Sequence, residues 1–313
     1  MSRRYSLQKC LIILATMGAT LVFAAAASAQ VKSSQSRNGD RNSQQALLIG
    51  LIPEQNIFKQ MERYQPVANY LSKKIGVNVR LTVLPRYGNI INNFVSTGMD
   101  AAFFGSFTYT LAHKALGVEV LARPLSLDGT STYYGLMFVR KDSGIRSIGD
   151  MAGKRFAFVD KATTAGYLLP LDYFRRYGKD YKTYLKESYF TGTHDDAILD
   201  VLNRKADIGA AKNTMYERLA STNSRIRREL LILERSPDVP ENGLAVRKDL
   251  DGSLKKALKS ALLNMHLDPE GAAVLKSFGA QRFIETVDAD YRPVYRYATH
   301  INLDLATYDY MNE

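Results

Sequence analysis

Short apolar runs alternate with helix-patterned stretches along this chain, and the alternation starts afresh after about residue 133. Residues 46–52 form an apolar run stopped by Pro53, which reads as a buried strand. Residues 58–75 place Met61, Tyr64, Val67, Leu71 and Ile75 on one face, with Gly76 as the stop, and predict a helix. Residues 77–84 alternate as a strand, 87–97 read as a helix, 100–104 as a buried strand, 108–116 as a helix and 118–122 as a strand. The second series has strands at 134–140, 155–159, 188–190, 206–210 and 230–235. Helices lie between them at 148–154, from the 160–166 loop to 177, at 194–203 and at 215–220. From Asp251 onward the chain reads as helical. Such spacing implies α/β units with largely parallel sheets, whose ligands sit at strand carboxyl ends against helix N-termini. A chain of 313 residues has room for two such units.

The first residues read as an export signal. Arg3, Arg4 and Lys9 precede an apolar stretch, and Ala27-Ser28-Ala29 supplies the small residues a signal peptidase requires, so residues 1–29 are expected to be removed. A retained membrane anchor is the alternative, since the stretch is about long enough to span. Residues 30–45 are rich in Ser, Asn and Gln and predict a flexible leader. The single Cys, Cys10, lies in the part removed, which suits an oxidising compartment. Export excludes nucleic acid as a partner. Of the net charge of +11, Arg3, Arg4 and Lys9 leave with the signal, and the basic excess that remains suggests anion attraction or simply a solvated surface.

Two strand–turn–helix junctions carry the candidate chemistry. In Asp160-Lys161-Ala162-Thr163-Thr164-Ala165-Gly166, small and hydroxyl-bearing residues open a helix whose first N–H groups are free to hold an anion. Plain capping by Thr163 is the alternative. In Thr191-Gly192-Thr193-His194-Asp195, His194 stands at a second helix start as a donor or as a cap. Tyr87, Tyr133 and Tyr134 offer phenol donors, although a tyrosine taken alone is more often a packing residue. The Tyr-rich tail from Tyr291 to Tyr310 is expected to pack against the first unit. No nucleophile elbow, Walker loop, dinucleotide fingerprint or His-Glu-x-x-His motif is present, and His113, His266 and His300 lack a metal-ligand partner at useful spacing. Neither catalysis, nor a metal, nor any cofactor is expected.

The blocks together resemble the phosphate, phosphite and phosphonate receptors of ABC transporters. The resemblance runs from about Leu48 to Tyr295. It is carried by Gly50-Leu51-Ile52-Pro53-Glu54-Gln55-Asn56, Tyr64-Gln65-Pro66-Val67, Asp100-Ala101-Ala102-Phe103-Phe104-Gly105 and Tyr133-Tyr134. Asp150-Met151-Ala152-Gly153-Lys154, the 160–166 loop, Gly192-Thr193-His194-Asp195, Ala206-Asp207-Ile208-Gly209-Ala210 and Ser236-Pro237-Asp238-Val239-Pro240 continue it.

The resemblance implies a monomeric, two-lobed periplasmic binding protein of type II, with the ligand cleft between its lobes. Lobe one would comprise 46–132 and 241–313, lobe two 133–240. An inner-membrane ABC permease is the implied partner, and a sensory receptor coupled to a membrane kinase or cyclase is the alternative. By the same resemblance Tyr87, Tyr133, Thr163, Thr164, Ala165, Gly166 and His194 bind the oxyanion. They would supply about six to eight donors with the local backbone. Ala165 stands where the family has a hydroxyl. Thr214 and Asn242 fall near the positions where aminophosphonate binders carry carboxylates, so poor binding of aminoethylphosphonate is expected. A charged His194 would make affinity fall with rising pH.

Overall fold

The computed structural model describes residues 46–84 and 86–312; the expected signal and leader, residues 1–45, lie outside the described residues. In chain order the strands are β1 (Leu47–Leu51), β2 (Val79–Val83), β3 (Ala101–Phe104), β4 (Glu119–Ser126), β5 (Thr132–Tyr133), β6 (Gly135–Arg140) and β7 (Arg155–Phe158). They continue with β8 (Glu187–Phe190), β9 (Ile208–Lys212), β10 (Leu230–Arg235), β11 (Val239–Pro240), β12 (Gly243–Val246) and β13 (Ala280–Glu285). One sheet has the order β13-β4-β12-β3-β1-β2 and a second the order β10-β6-β9-β7-β8; a two-stranded ribbon, β11-β5, joins them.

The largely parallel sheets expected from the sequence are corrected to mixed ones. Parallel pairing is confined to β2-β1-β3 and to β9-β7-β8. β12 is antiparallel to both β3 and β4, and β6 is antiparallel to both β9 and β10. The physical reason is topological. Each sheet receives, between two strands of its own series, a strand that has just crossed the ribbon: β5 leads into β6, and β11 into β12. A strand entering from the opposite end runs against its neighbours and so pairs antiparallel. β13 closes the first sheet antiparallel to β4, within a region the sequence reads as helical throughout.

The helix Ile57–Ile75 shows how local signals fix the elements. The Asn56 side chain accepts the N–H groups of Phe58 and Lys59, and Gly76 ends the helix in the left-handed conformation at φ 68°. Lys73 and Lys74 complement the carbonyl end. Its inner face buries Tyr64, Val67, Tyr70 and Leu71, with the Tyr64 ring edge-on to both Phe103 and Phe278 at 5.0 Å. Truncating Leu71 to Ala would cost about 2–5 kcal/mol.

Buried side chains run without a break from Ile52, Tyr87 and Phe107 beside the first sheet, through Tyr133 on the ribbon, to Ala165, Phe138 and Ile198 of the second. The lobes are therefore packed against each other. The tail differs from its expected place. Tyr291 does pack on Tyr109, with ring centroids 4.2 Å apart. Tyr308, however, lies on Phe107 of the first lobe and donates to the Lys161 carbonyl of the second.

Candidate ligand cleft

The elements bring their carboxyl ends together between the lobes. Glu54 and Gln55 follow β1, Tyr87 follows β2, Ser106 follows β3, Thr163 and Thr164 follow β7, and His194 follows β8. Lys212 is the last residue of β9, and Glu241 and Asn242 follow β11. Every one of these side chains is buried. Open α/β sheets place ligand sites at such ends.

At the 160–166 loop the Thr163 backbone is extended, and a wide helical turn, Thr164–Leu168, runs into the helix Leu169–Arg176. The Thr163 hydroxyl donates to the Asp160 carbonyl at 2.7 Å, so its proton is already engaged within the loop. The Thr164 hydroxyl oxygen accepts the Phe107 N–H at 3.0 Å across the cleft and keeps its own proton to give. Ala165 is buried against Gly135, so a hydroxyl in its place would face β6. Gly166 is required by close approach. A β-carbon there would lie 2.4 Å from Val159 Cβ and 2.8 Å from the Thr163 hydroxyl. The N–H groups at this helix start have no intrahelical acceptor.

Tyr133 sits on the ribbon. Burial raises its phenol pKa, and Lys212 and the Ser106 and Thr164 hydroxyls oppose that shift. Tyr87 meets the His194 ring edge-on, with centroids 6.1 Å apart. Its phenol is buried, which raises it well above the usual range. His194 Nδ1 accepts the Lys212 backbone N–H at 3.2 Å, which leaves the ring proton on Nε2. Burial drives this imidazole down to about 3. A charged His194 donor is thereby corrected to a neutral one.

Sequence reasoning missed the cluster at the centre of the cleft. The Lys212 ammonium donates to Glu54 Oε1 at 2.9 Å, to Glu241, and to Asn242 Oδ1 at 3.2 Å, and it lies 4.3 Å from the centroid of the Tyr133 ring. Burial alone would raise Glu54; Lys212, with Arg63, outweighs it and holds the carboxyl down to about 2. Burial likewise opposes the Lys212 charge, and the two carboxylates overcome it and raise the ammonium. The available signal was positional, since Glu54, Lys212, Glu241 and Asn242 all stand at or just past strand ends.

Three buried polar atoms at or beside the cleft have no hydrogen-bond partner: Tyr87 Oη, Thr214 Oγ1 and Asn242 Nδ2. Each can donate, and each unpaired group costs about 1–3 kcal/mol. Among the described residues no group of His, Cys, Asp or Glu is arranged to hold a metal ion, and no helix is long and apolar enough to cross a membrane.

The family model for the periplasmic substrate-binding protein of phosphonate ABC transporters matches residues 49–291. The chain belongs to this family. The receptor is 26% identical over 255 residues to the phosphonates-binding periplasmic protein of Escherichia coli, covering 80% of this chain and 75% of that one. It is 24% identical over 268 residues to a probable ABC transporter phosphite-binding protein of Prochlorococcus marinus, covering 82% and 90%. Its fold matches the crystal structure of a binding-protein component of an ABC phosphonate transporter from Pseudomonas aeruginosa. The TM-score there is 0.77 and the identity 24%, over 83% of this chain and 87% of that one. The family is one of periplasmic two-lobed transport receptors, and no observation favours the sensory alternative.

Proposed function

We propose that this receptor closes on a small phosphorus oxyanion, of the phosphonate, phosphite or phosphate class, and presents it to an inner-membrane ABC permease. The observation that carries the reading is the trio of unpartnered buried donors, Tyr87, Thr214 and Asn242, at a cleft that also holds the helix start at Thr164. An oxyanion stripped of water needs each lost hydrogen bond replaced, and donors fixed in a dry cleft do so strongly. Tyr87, Tyr133, Thr164, the backbone from Ala165 to Gly166 and His194 Nε2 are the assigned ligand contacts, with Thr214 Oγ1 and Asn242 Nδ2 as further donors. Thr163 shapes the loop. The names of the two relatives, one binding phosphonates and the other phosphite, lend support.

The receptor acts as a monomer, without turnover, after cleavage behind Ala29, with lobes formed by residues 46–132 plus 241–313 and by 133–240. Calorimetry with methylphosphonate, phosphite, phosphate and sulfate tests the reading. At least one phosphorus oxyanion should bind, with affinity lowered about tenfold or more in Thr164→Val. Silence from the whole panel would sink it.

A further inference from the structure

The cleft contains a cation that belongs to the protein. The Lys212 side chain is 3% exposed, and its three ammonium protons go to three acceptors, Glu54, Glu241 and Asn242, with the Tyr133 ring below. Two carboxylates, an amide oxygen and an aromatic face make a cage suited to an ammonium group. The cage draws on both lobes, because Glu54 follows β1 and Lys212 ends β9. Beside it, Asn242 turns its oxygen to Lys212 and leaves its buried Nδ2 unpartnered. One side chain thus faces the cage with an acceptor and has a donor to spare.

We propose that Lys212 sets the charge class of the ligand: its ammonium fills the cage, so the receptor takes oxyanions that carry no cationic group of their own. An aminoalkylphosphonate would bring a second ammonium against a cage already filled, and that charge would be buried without a partner. The poor aminoethylphosphonate binding expected from the sequence is kept, but for a different reason. The carboxylates are present, and they are taken. Withdrawing the Lys212 ammonium opens the same cleft to zwitterions.

This inference rests on the oxyanion reading, and a matched ligand pair separates the two. Ethylphosphonate and 2-aminoethylphosphonate differ by one ammonium group. The parent protein should bind the first about a hundredfold more tightly than the second. In Lys212→Ala the preference should narrow or reverse. That variant leaves two buried carboxylates unpaired, so Lys212→Ala with Glu54→Gln is measured alongside it. The double variant keeps the net charge of the parent cleft and one carboxylate for the ligand. A folded variant that binds ethylphosphonate but gains nothing for 2-aminoethylphosphonate overturns the assignment of Lys212. So does an equal loss of both ligands, which would make Lys212 a direct oxyanion contact. If neither ligand nor any anion of the calorimetric panel binds the parent, the oxyanion reading itself fails.

Discussion

The Thr164 hydroxyl oxygen accepts the Phe107 N–H at 3.0 Å, so the residue that opens the helix of one lobe is tied to the first turn of a helix in the other. Thr164→Val keeps the shape and removes the acceptor. It leaves a buried N–H unpaired and should destabilise the closed form by about 1–3 kcal/mol. Thr164→Ser should restore most of the loss. Thermal melts with and without methylphosphonate compare the three proteins; equal melting of parent and Val variant would refute the contact.

Tyr87 should behave in the opposite way. Its hydroxyl is buried without a partner, so Tyr87→Phe removes an unsatisfied group. Stability of the ligand-free protein should stay level or rise by up to about 1 kcal/mol. Oxyanion affinity should fall about tenfold. Denaturant unfolding together with calorimetry reads both quantities, and a drop in stability without a drop in affinity would count against a ligand role.

The neutral His194 has a pH signature. Its folded pKa is depressed to about 3 from an ordinary 6.5, so below pH 6.5 the unfolded chain binds the proton that the folded one refuses. This residue therefore removes stability as pH falls, by about 2 kcal/mol between pH 7 and pH 5. Asp160 and Asp195, which burial pushes up to about 6, act in the reverse sense and add stability as pH falls through 6. The His194 effect is accordingly read as the difference between the parent and His194→Gln in melts across that range. Once the ionisation of the ligand is subtracted, affinity between pH 6 and 8 should follow the same pH profile in the parent and in His194→Gln, at a lower level in the variant. A fall in affinity with rising pH that vanishes in the Gln variant would restore a charged histidine.

The C-terminal tail ties the binding loop down. Asn312 donates to Asp160 Oδ2 at 2.7 Å and accepts the Lys161 N–H at 3.0 Å, while Tyr308 donates to the Lys161 carbonyl at 2.9 Å. Ending the chain at Asn302 should lower the melting temperature and speed ligand release. Asn312→Ala alone should cost about 1 kcal/mol. Stopped-flow release of a bound oxyanion would show the change, and unaltered kinetics would confine the tail to packing.

Local pattern exposed the elements that local chemistry makes. The helix Ile57–Ile75, the buried runs of β1 and β3, and the helix starts at Thr164 and His194 were readable because caps, periods and breakers lie within a few residues of one another. The inserted strand β12 was not. Gly243-Leu244-Ala245-Val246 is too short to show a period, and its place between β3 and β4 depends on where the ribbon delivers it. β13 was lost among flanking helices. The Glu54–Lys212 pair spans 158 positions, and no spacing rule reaches that far. The sequence sought acidic partners near Thr214 and Asn242, whereas the fold supplies them from Glu54 and Glu241.

The ribbon strands β5 and β11 feed directly into β6 and β12, each seated in the interior of its sheet. A pull on either lobe is thus received by a strand flanked on both sides, one that cannot peel away as a border strand would. Any bending between the halves is then expected in the few peptide units around Tyr133 and Pro240, with each half moving as a stiff plate. A membrane partner touching both plates would then sense one coordinate, the angle between them, and occupancy would reach it as a change of spacing.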